Sequence, residues 1–220
     1  MVKVKFCGIG RTEDIEAVNR LKPDLAGFVF AKSKRQVTKE QAAALKELLD
    51  PGIKTVAVLV NMPVEEAAAL ANTGIADLLQ LHGDEDAAYI AKLKTLTRAK
   101  IIKAIRLRSG DPEANAKLLT EAAQADYCLF DTFLPDTYGG TGKTFSLSLL
   151  KGMRIEKPFF LAGGLDADNV AEIIGQVQKD ATLLPFFYGV DVSGGIETGV
   201  VKDPIKMEAF MKAIRGKEKT

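Results

Sequence analysis

Eight short β-branched or apolar runs alternate with eight segments of helical period along the 220 residues, and few folds besides a parallel sheet with crossover helices admit that rhythm. The strands are expected at Val2–Cys7, Leu25–Phe30, Lys54–Val60, Asp77–Leu81, Lys100–Arg106, Asp126–Phe130, Pro158–Ala162 and Tyr188–Val192. Helices are expected over Thr12–Leu21, Thr38–Leu49, Pro63–Asn72, Asp84–Leu96, Pro112–Ala123, Thr144–Leu150, Asp166–Gln178 and Asp203–Arg215. Thr12, Thr38, Asp84 and Asp166 are suited to cap free amides. Pro63, Pro112 and Pro204 suit a first helical turn, where the missing N–H costs nothing. Eight βα units with no leftover block favour a closed (β/α)8 TIM barrel over an open doubly wound sheet, which stops at five or six strands. One barrel domain over residues 1–220 is therefore the expected organisation. The dense apolar run Leu183–Tyr188 ahead of the last strand is read as core packing in preference to a subunit interface.

Composition narrows the class of function. Lys and Arg number 30 against 29 Asp and Glu, spread along the chain, so no basic face is offered to nucleic acid or to an anionic membrane. The chain has no signal-peptide run and no apolar stretch approaching the roughly 20 residues of a membrane span. Cys7 and Cys128 belong to no CxxC or Cys/His cluster, which suggests neither a zinc site nor a disulfide scaffold and fits a reducing cytoplasm.

Strand parity sorts the polar residues. If Cys7 points into the barrel so does Lys5, leaving Val4 and Phe6 to the helices. On the sixth strand Asp131, at the tip, shares parity with Leu129 and Tyr127, which turns Cys128 outward as a structural residue. Gln80, Lys103 and Asp191 interrupt apolar strands and are costly to bury unpaired, so a mutually satisfied polar plug inside the barrel is expected for Lys5, Lys103 and Gln80 as readily as a direct role. His82, the sole histidine, suits acid–base chemistry or a hydrogen-bonded structural position ahead of Gly83.

Two glycine-rich stretches follow the seventh and eighth strands, Ala162-Gly163-Gly164-Leu165 and Ser193-Gly194-Gly195-Ile196. Amides of two such loops make an anion cradle where barrels bind phosphate. Gly139–Thr144 ends like a nucleotide-binding P-loop, but Thr137 stands where that motif requires its first glycine, so the segment is assigned to a loop that closes over substrate.

Taken together, Lys5–Ile9, Gly27–Phe30 with Ser33–Arg35, Gln80–Asp84, Asp131–Phe133 with Gly139–Thr144, Leu161–Leu165, and Gly189–Ser193 with Lys202-Asp203 resemble the phosphoribosylanthranilate isomerase family, in its order and over nearly the whole chain. Gly10 in place of threonine, Phe6 in place of a branched aliphatic residue and the apolar insertion around Leu184 depart from its pattern. The resemblance implies an Amadori rearrangement in tryptophan biosynthesis, with Asp131 as general acid and Cys7 as general base. It implies further that Arg35 grips the anthranilate carboxylate and that Gly163, Gly164, Ser193 and Gly194 hold the phosphate. Asp191 either orients the substrate's amine or a sugar hydroxyl, or serves the barrel alone. Lys5 is expected to favour the Cys7 thiolate. No cofactor and no metal is expected. The expected partner is a phosphoribosyl small molecule, with the chain a monomer or homodimer. The rivals are the histidine-pathway aminoaldose isomerase, which pairs two aspartates and needs a second phosphate site, and a phosphate-binding barrel without catalysis.

Overall fold

A computed structural model describes residues 1–107, 111–131, 147–150 and 152–216. Eight parallel strands close on themselves in sequence order: β1 Lys3–Cys7, β2 Leu25–Val29, β3 Lys54–Leu59, β4 Leu78–Leu81, β5 Lys100–Arg106, β6 Tyr127–Asp131, β7 Phe159–Ala162 and β8 Phe187–Val192. The ring is closed by β1 against β8, with Lys3 opposite Gly189 and Lys5 opposite Asp191. An added Cβ at Gly189 would run into the Lys3 carbonyl, so a side chain at that position would push the closing strands apart. The expected TIM barrel is thus the observed fold.

The crossover helices among the described residues are α1 Thr12–Leu21, α2 Lys39–Leu48, α3 Val64–Asn72, α4 Ala87–Leu96, α5 Pro112–Glu121, α6 Val170–Lys179 and α7 Pro204–Arg215. Several start signals differ from the sequence reading. Thr38 and Asp203 cap their helices as side-chain acceptors, and Pro112 and Pro204 occupy the first turn. Thr12 is already helical, and the start of α1 is held instead by Asp14, whose carboxylate accepts from the amides of Gly10 and Arg11. Asp86 rather than Asp84 caps α4, because Asp84 is drawn to Asn61 across the loop. Pro63 is the cap of α3 and not its first residue. Asp166 accepts from the amides of Asp168 and Asn169 in a turn that precedes α6. The helix expected over Thr144–Leu150 falls partly outside the described residues, as does all of Gly139–Thr144; within them Leu147–Leu150 form a 3₁₀ turn.

Side-chain alternation divides the apolar residues into layers. Val4, Phe6, Phe28, Cys128, Phe130, Phe159, Leu161, Val190 and Val192 pack outward against the helices. Leu25, Val56, Leu78, Ile102, Leu129 and Phe160 fill the barrel itself, and Tyr127 and Tyr188 join them. The apolar run before β8 behaves as core: Leu183 is buried and Phe186 and Phe187 pack on the outer layer, with Leu184 left exposed. A short antiparallel pair, β9 Glu197–Thr198 and β10 Val201–Lys202, follows β8 and folds back over the barrel end.

Cys128 lies on the outward face as parity requires, and burial pushes its thiol from 9.0 up to about 11. A thiol whose folded pKa exceeds its unfolded value stabilises the fold below pH 9 and loses that contribution as pH rises towards 11. Two pKa units correspond to ~3 kcal/mol. In Cys128→Ala this alkaline loss is expected to disappear. The stability difference between wild type and variant, from urea unfolding at pH 8 and pH 11, should therefore shrink by up to about 3 kcal/mol.

Candidate active site

The C-terminal tips of parallel barrel strands meet at one end, and there the structure gathers most of the residues singled out from the sequence. Cys7 ends β1 and Asp131 ends β6, three strands apart one way round the ring and five the other, so thiol and carboxylate face each other across the barrel end. Beneath Cys7, on the same inward parity, Lys5 is fully buried and donates to Asp191 Oδ1 at 2.8 Å. Burial alone would lower the Lys5 pKa, but the Asp191 carboxylate and the Cys7 sulfur more than offset it and hold the ammonium raised. The space for this pair comes from Gly27 on β2: a Cβ there would lie 3.2 Å from both Lys5 Nζ and Cys7 Sγ.

Burial pushes the Cys7 thiol up; Lys5 and Lys202 pull it down, and Asp191 adds to the rise. The Lys5 ammonium acts on the thiol in the direction expected from the sequence, towards a lower pKa. The balance nevertheless leaves the thiol above its ordinary pKa, because burial outweighs the pull of the two lysines.

Above Cys7 the chain turns at Gly8 with φ 81°, a left-handed conformation that glycine adopts without strain. An added Cβ at Gly8 would stand 2.6 Å from Arg35 Cδ and within 3.4 Å of Ser193 Oγ and Lys202 Nζ, so three polar side chains converge on this turn. Ser193 Oγ donates to the Cys7 carbonyl at 3.1 Å, and Lys202 Nζ donates to Ser193 O at 3.0 Å. Arg35 comes to the same place from the β2–α2 loop but is already engaged: its Nε and Nη2 each donate at 2.6 Å to the two oxygens of Glu197.

The glycine loops lie together as expected. Gly163 and Gly164 after β7 have φ of 90° and 66°. Gly195 packs so tightly on the Leu165 carbonyl that a side chain could not be accommodated, which locks the loop after β7 to the turn Gly194–Ile196 after β8. Gly163, Gly164, Ser193 and Gly194 thereby share one rim.

On the side of Asp131, His82 Nε2 is 3.7 Å from Asp131 Oδ2, while its Nδ1 meets Gln80 Nε2 at 2.9 Å. A Gln80 amide donating to Nδ1 puts the imidazole proton on Nε2, towards the carboxylate. Lys103 corrects the sequence reading. It shares the outward parity of Ile101 and Ile105, and its ammonium is neutralised by Glu85 at 3.0 Å and the Gly83 carbonyl at 2.7 Å, in the β4–α4 loop. The polar plug inside the barrel is thus Lys5 with Asp191, and Gln80, buried on the inward parity of Leu78, without Lys103.

Residues 4–213 match the family described as N-(5'-phosphoribosyl)anthranilate (PRA) isomerase. The chain belongs to the phosphoribosylanthranilate isomerase family. A relative from Thermoanaerobacter pseudethanolicus named N-(5'-phosphoribosyl)anthranilate isomerase is 49% identical over 216 residues, spanning 98% of this chain and 99% of its own. The crystal structure of phosphoribosyl anthranilate isomerase from Thermotoga maritima superposes with a TM-score of 0.80 at 33% identity, covering 98% of this chain and 100% of that one. For that protein, monomers generated from a dimeric form are also known. A further isomerase structure, complexed with reduced 1-(o-carboxyphenylamino)-1-deoxyribulose 5-phosphate, gives a TM-score of 0.80 at 30% identity, with 98% and 100% covered. The family's barrel is therefore the frame in which these side chains are to be read.

Sequence reasoning overlooked Glu197 and the part of Gly27. Glu197 sits in the two-residue strand β9, with partners Arg35 and Lys202 that are 162 and 5 residues away, and a lone glutamate in so short a strand gives no sign of burial. Gly27 could have been found, since a glycine inside a strand marks a close approach.

Replacing Lys5 with Met would leave Asp191 a buried carboxylate without its counter-charge, at a cost of about 3–5 kcal/mol. The same change removes the cation that draws the Cys7 pKa down. In Lys5→Met the pH profile of Cys7 alkylation should shift to higher pH, measured in a Cys128→Ala background. An unmoved profile would take Lys5 out of the account of the thiol.

Proposed function

We propose that this chain catalyses the Amadori rearrangement of N-(5-phosphoribosyl)anthranilate to 1-(2-carboxyphenylamino)-1-deoxyribulose 5-phosphate, an isomerisation in tryptophan biosynthesis. The observation that carries the reading is a thiol and a carboxylate on opposite strand tips of one barrel end, between a paired arginine and a double glycine rim, in a chain of this family.

The reaction needs an acid, a base and two anchors. Asp131, in its protonated form, gives its proton to the ribose ring oxygen; the C1–O bond breaks and the aryl nitrogen lone pair forms the C1=N bond of a Schiff base. The Cys7 thiolate then takes the proton from sugar C2. The C2–H electron pair becomes the C1=C2 bond while the imine π electrons return to nitrogen, giving an enolamine that tautomerises to the ketone. His82, 3.7 Å away with its proton on Nε2, faces the carboxylate that Asp131 becomes. The raised pKa of Cys7 has a use here. A thiolate in a dry site is a stronger base than one in water, and the positive charge of the protonated Schiff base offsets the burial that keeps it rare.

The substrate phosphate lies on Gly163, Gly164, Ser193 and Gly194, and Arg35 takes the anthranilate carboxylate. Asp191 acts from below as the counter-charge of Lys5, which favours its structural role. The histidine-pathway rival pairs two aspartates, whereas the tip of β1 carries Cys7 here. A binding-only barrel has no need of Cys7 and Asp131 together. No helix among the described residues is long and apolar enough to cross a membrane. Both cysteines are free and the mechanism requires a reduced Cys7, which suits the cytoplasm.

The test is the fluorescence change on turnover of freshly prepared phosphoribosylanthranilate. Cys7→Ser and Asp131→Asn are each expected to lower kcat by roughly 10²–10⁴-fold with the fold intact by circular dichroism. Full activity in both variants would exclude this mechanism.

A further inference from the structure

Glu197 takes no part in the chemistry above, yet it is the shared partner of both cations over Cys7. Its carboxylate is 4% exposed and accepts from Arg35 Nε and Nη2 at 2.6 Å and from Lys202 Nζ at 2.5 Å. Lys202 in turn donates to Ser193 O at 3.0 Å and Ser193 Oγ at 3.2 Å, and Ser193 Oγ donates to the Cys7 carbonyl. The chain Arg35–Glu197–Lys202–Ser193 therefore joins the carboxylate anchor to the phosphate rim through directional bonds, buried at its centre and part-buried at both ends.

We propose that Glu197 is a positioning residue that sets the spacing between the two anion anchors and thereby the site's selectivity for a phosphorylated substrate with one aryl carboxylate. The inference rests on the assignment of Arg35 and Ser193 as those anchors. By taking the Nε/Nη2 edge of the guanidinium, Glu197 fixes its plane and leaves the Nη1 side as the edge it does not share. Arg35 keeps 34% of its side chain exposed while Glu197 and Lys202 keep 4% and 2%, so the guanidinium is the part of the cluster presented to an incoming anion. Two cations against one anion leave a single positive charge, the complement of one carboxylate. A substrate without that group would strip water from the arginine and return nothing, whereas an arginine set at another angle would lose the discrimination.

The experiment compares kcat/KM for phosphoribosylanthranilate and for its carboxylate-free counterpart, N-(5-phosphoribosyl)aniline, in the full chain. Glu197→Asp keeps the charge and withdraws it by one methylene; Glu197→Gln keeps the size and removes the charge. In each, the preference for the carboxylate substrate is expected to fall at least roughly tenfold, chiefly through KM for the anthranilate substrate. Arg35→Met should abolish the preference, and adding Glu197→Asp to it should lower the preference no further. Equal losses on both substrates, additive losses with Arg35→Met, or an unchanged preference in both Glu197 variants would overturn the proposal. A wild type inactive on both compounds would count against the proposed reaction itself; a normal wild type with unaltered Glu197 variants would count against Glu197 alone.

Discussion

The buried pair of Lys5 and Asp191 is the interaction on which the site depends. A lysine with no exposed surface is tolerated only with its charge matched, and the match comes from the neighbouring strand that closes the barrel, at 2.8 Å. The pair needs room, and Gly27 provides it by presenting no side chain where the ammonium and the Cys7 sulfur lie. Three strands thus cooperate to put one charged layer under one thiol. Hydrophobic filling by Leu25, Val56, Ile102, Leu129 and Phe160 supports the layer on the remaining strands and keeps water from dispersing its field.

Cys7 lies between two neutralised lysines: Lys5 is answered by Asp191, and Lys202 by Glu197. Each lysine pulls the thiol pKa down, each is partly spent on its own carboxylate, and burial prevails. Burial also leaves Lys202 below its ordinary pKa, despite Glu197. Glu197 itself, though burial opposes it, is held below the carboxylate range by Arg35 and Lys202. The residual positive charge at this end therefore belongs to Arg35, the most exposed member of the cluster. Both the protonated resting thiol and the anion-seeking mouth follow from that one distribution.

Much of this was legible in the residues. Alternation gave the eight strands to within a residue or two, and parity separated inward Cys7 and Lys5 from outward Cys128, because a period of two leaves no third choice. Helix starts were less legible. Asp14 and Asp86 compete with nearer candidates, and only the local loop geometry decides between them. Lys103 misled for a related reason. Its outward position follows from the same parity, but its partner Glu85 comes from a loop, and loop partners carry no period. Glu197 was hidden because one partner, Arg35, is brought to it from 162 residues away and the other, Lys202, faces it only once the short β9–β10 pair has formed. The register that sets Lys5 against Asp191 was invisible too, since nothing in either strand alone specifies which residue of the other it will meet.

The Lys5–Asp191 pair also spans 186 residues of chain. A ribosome delivers Lys5 early and Asp191 near the end, so the first strand must wait for the eighth before its ammonium can be buried at acceptable cost. A chain arrested before Asp191 has Cys7, Gly8 and Arg35 but neither the floor under the thiol nor Ser193 and Glu197 above it. Incomplete products therefore lack the charged floor and the rim alike, and the two are assembled together when the last strand and the turn after it close the ring.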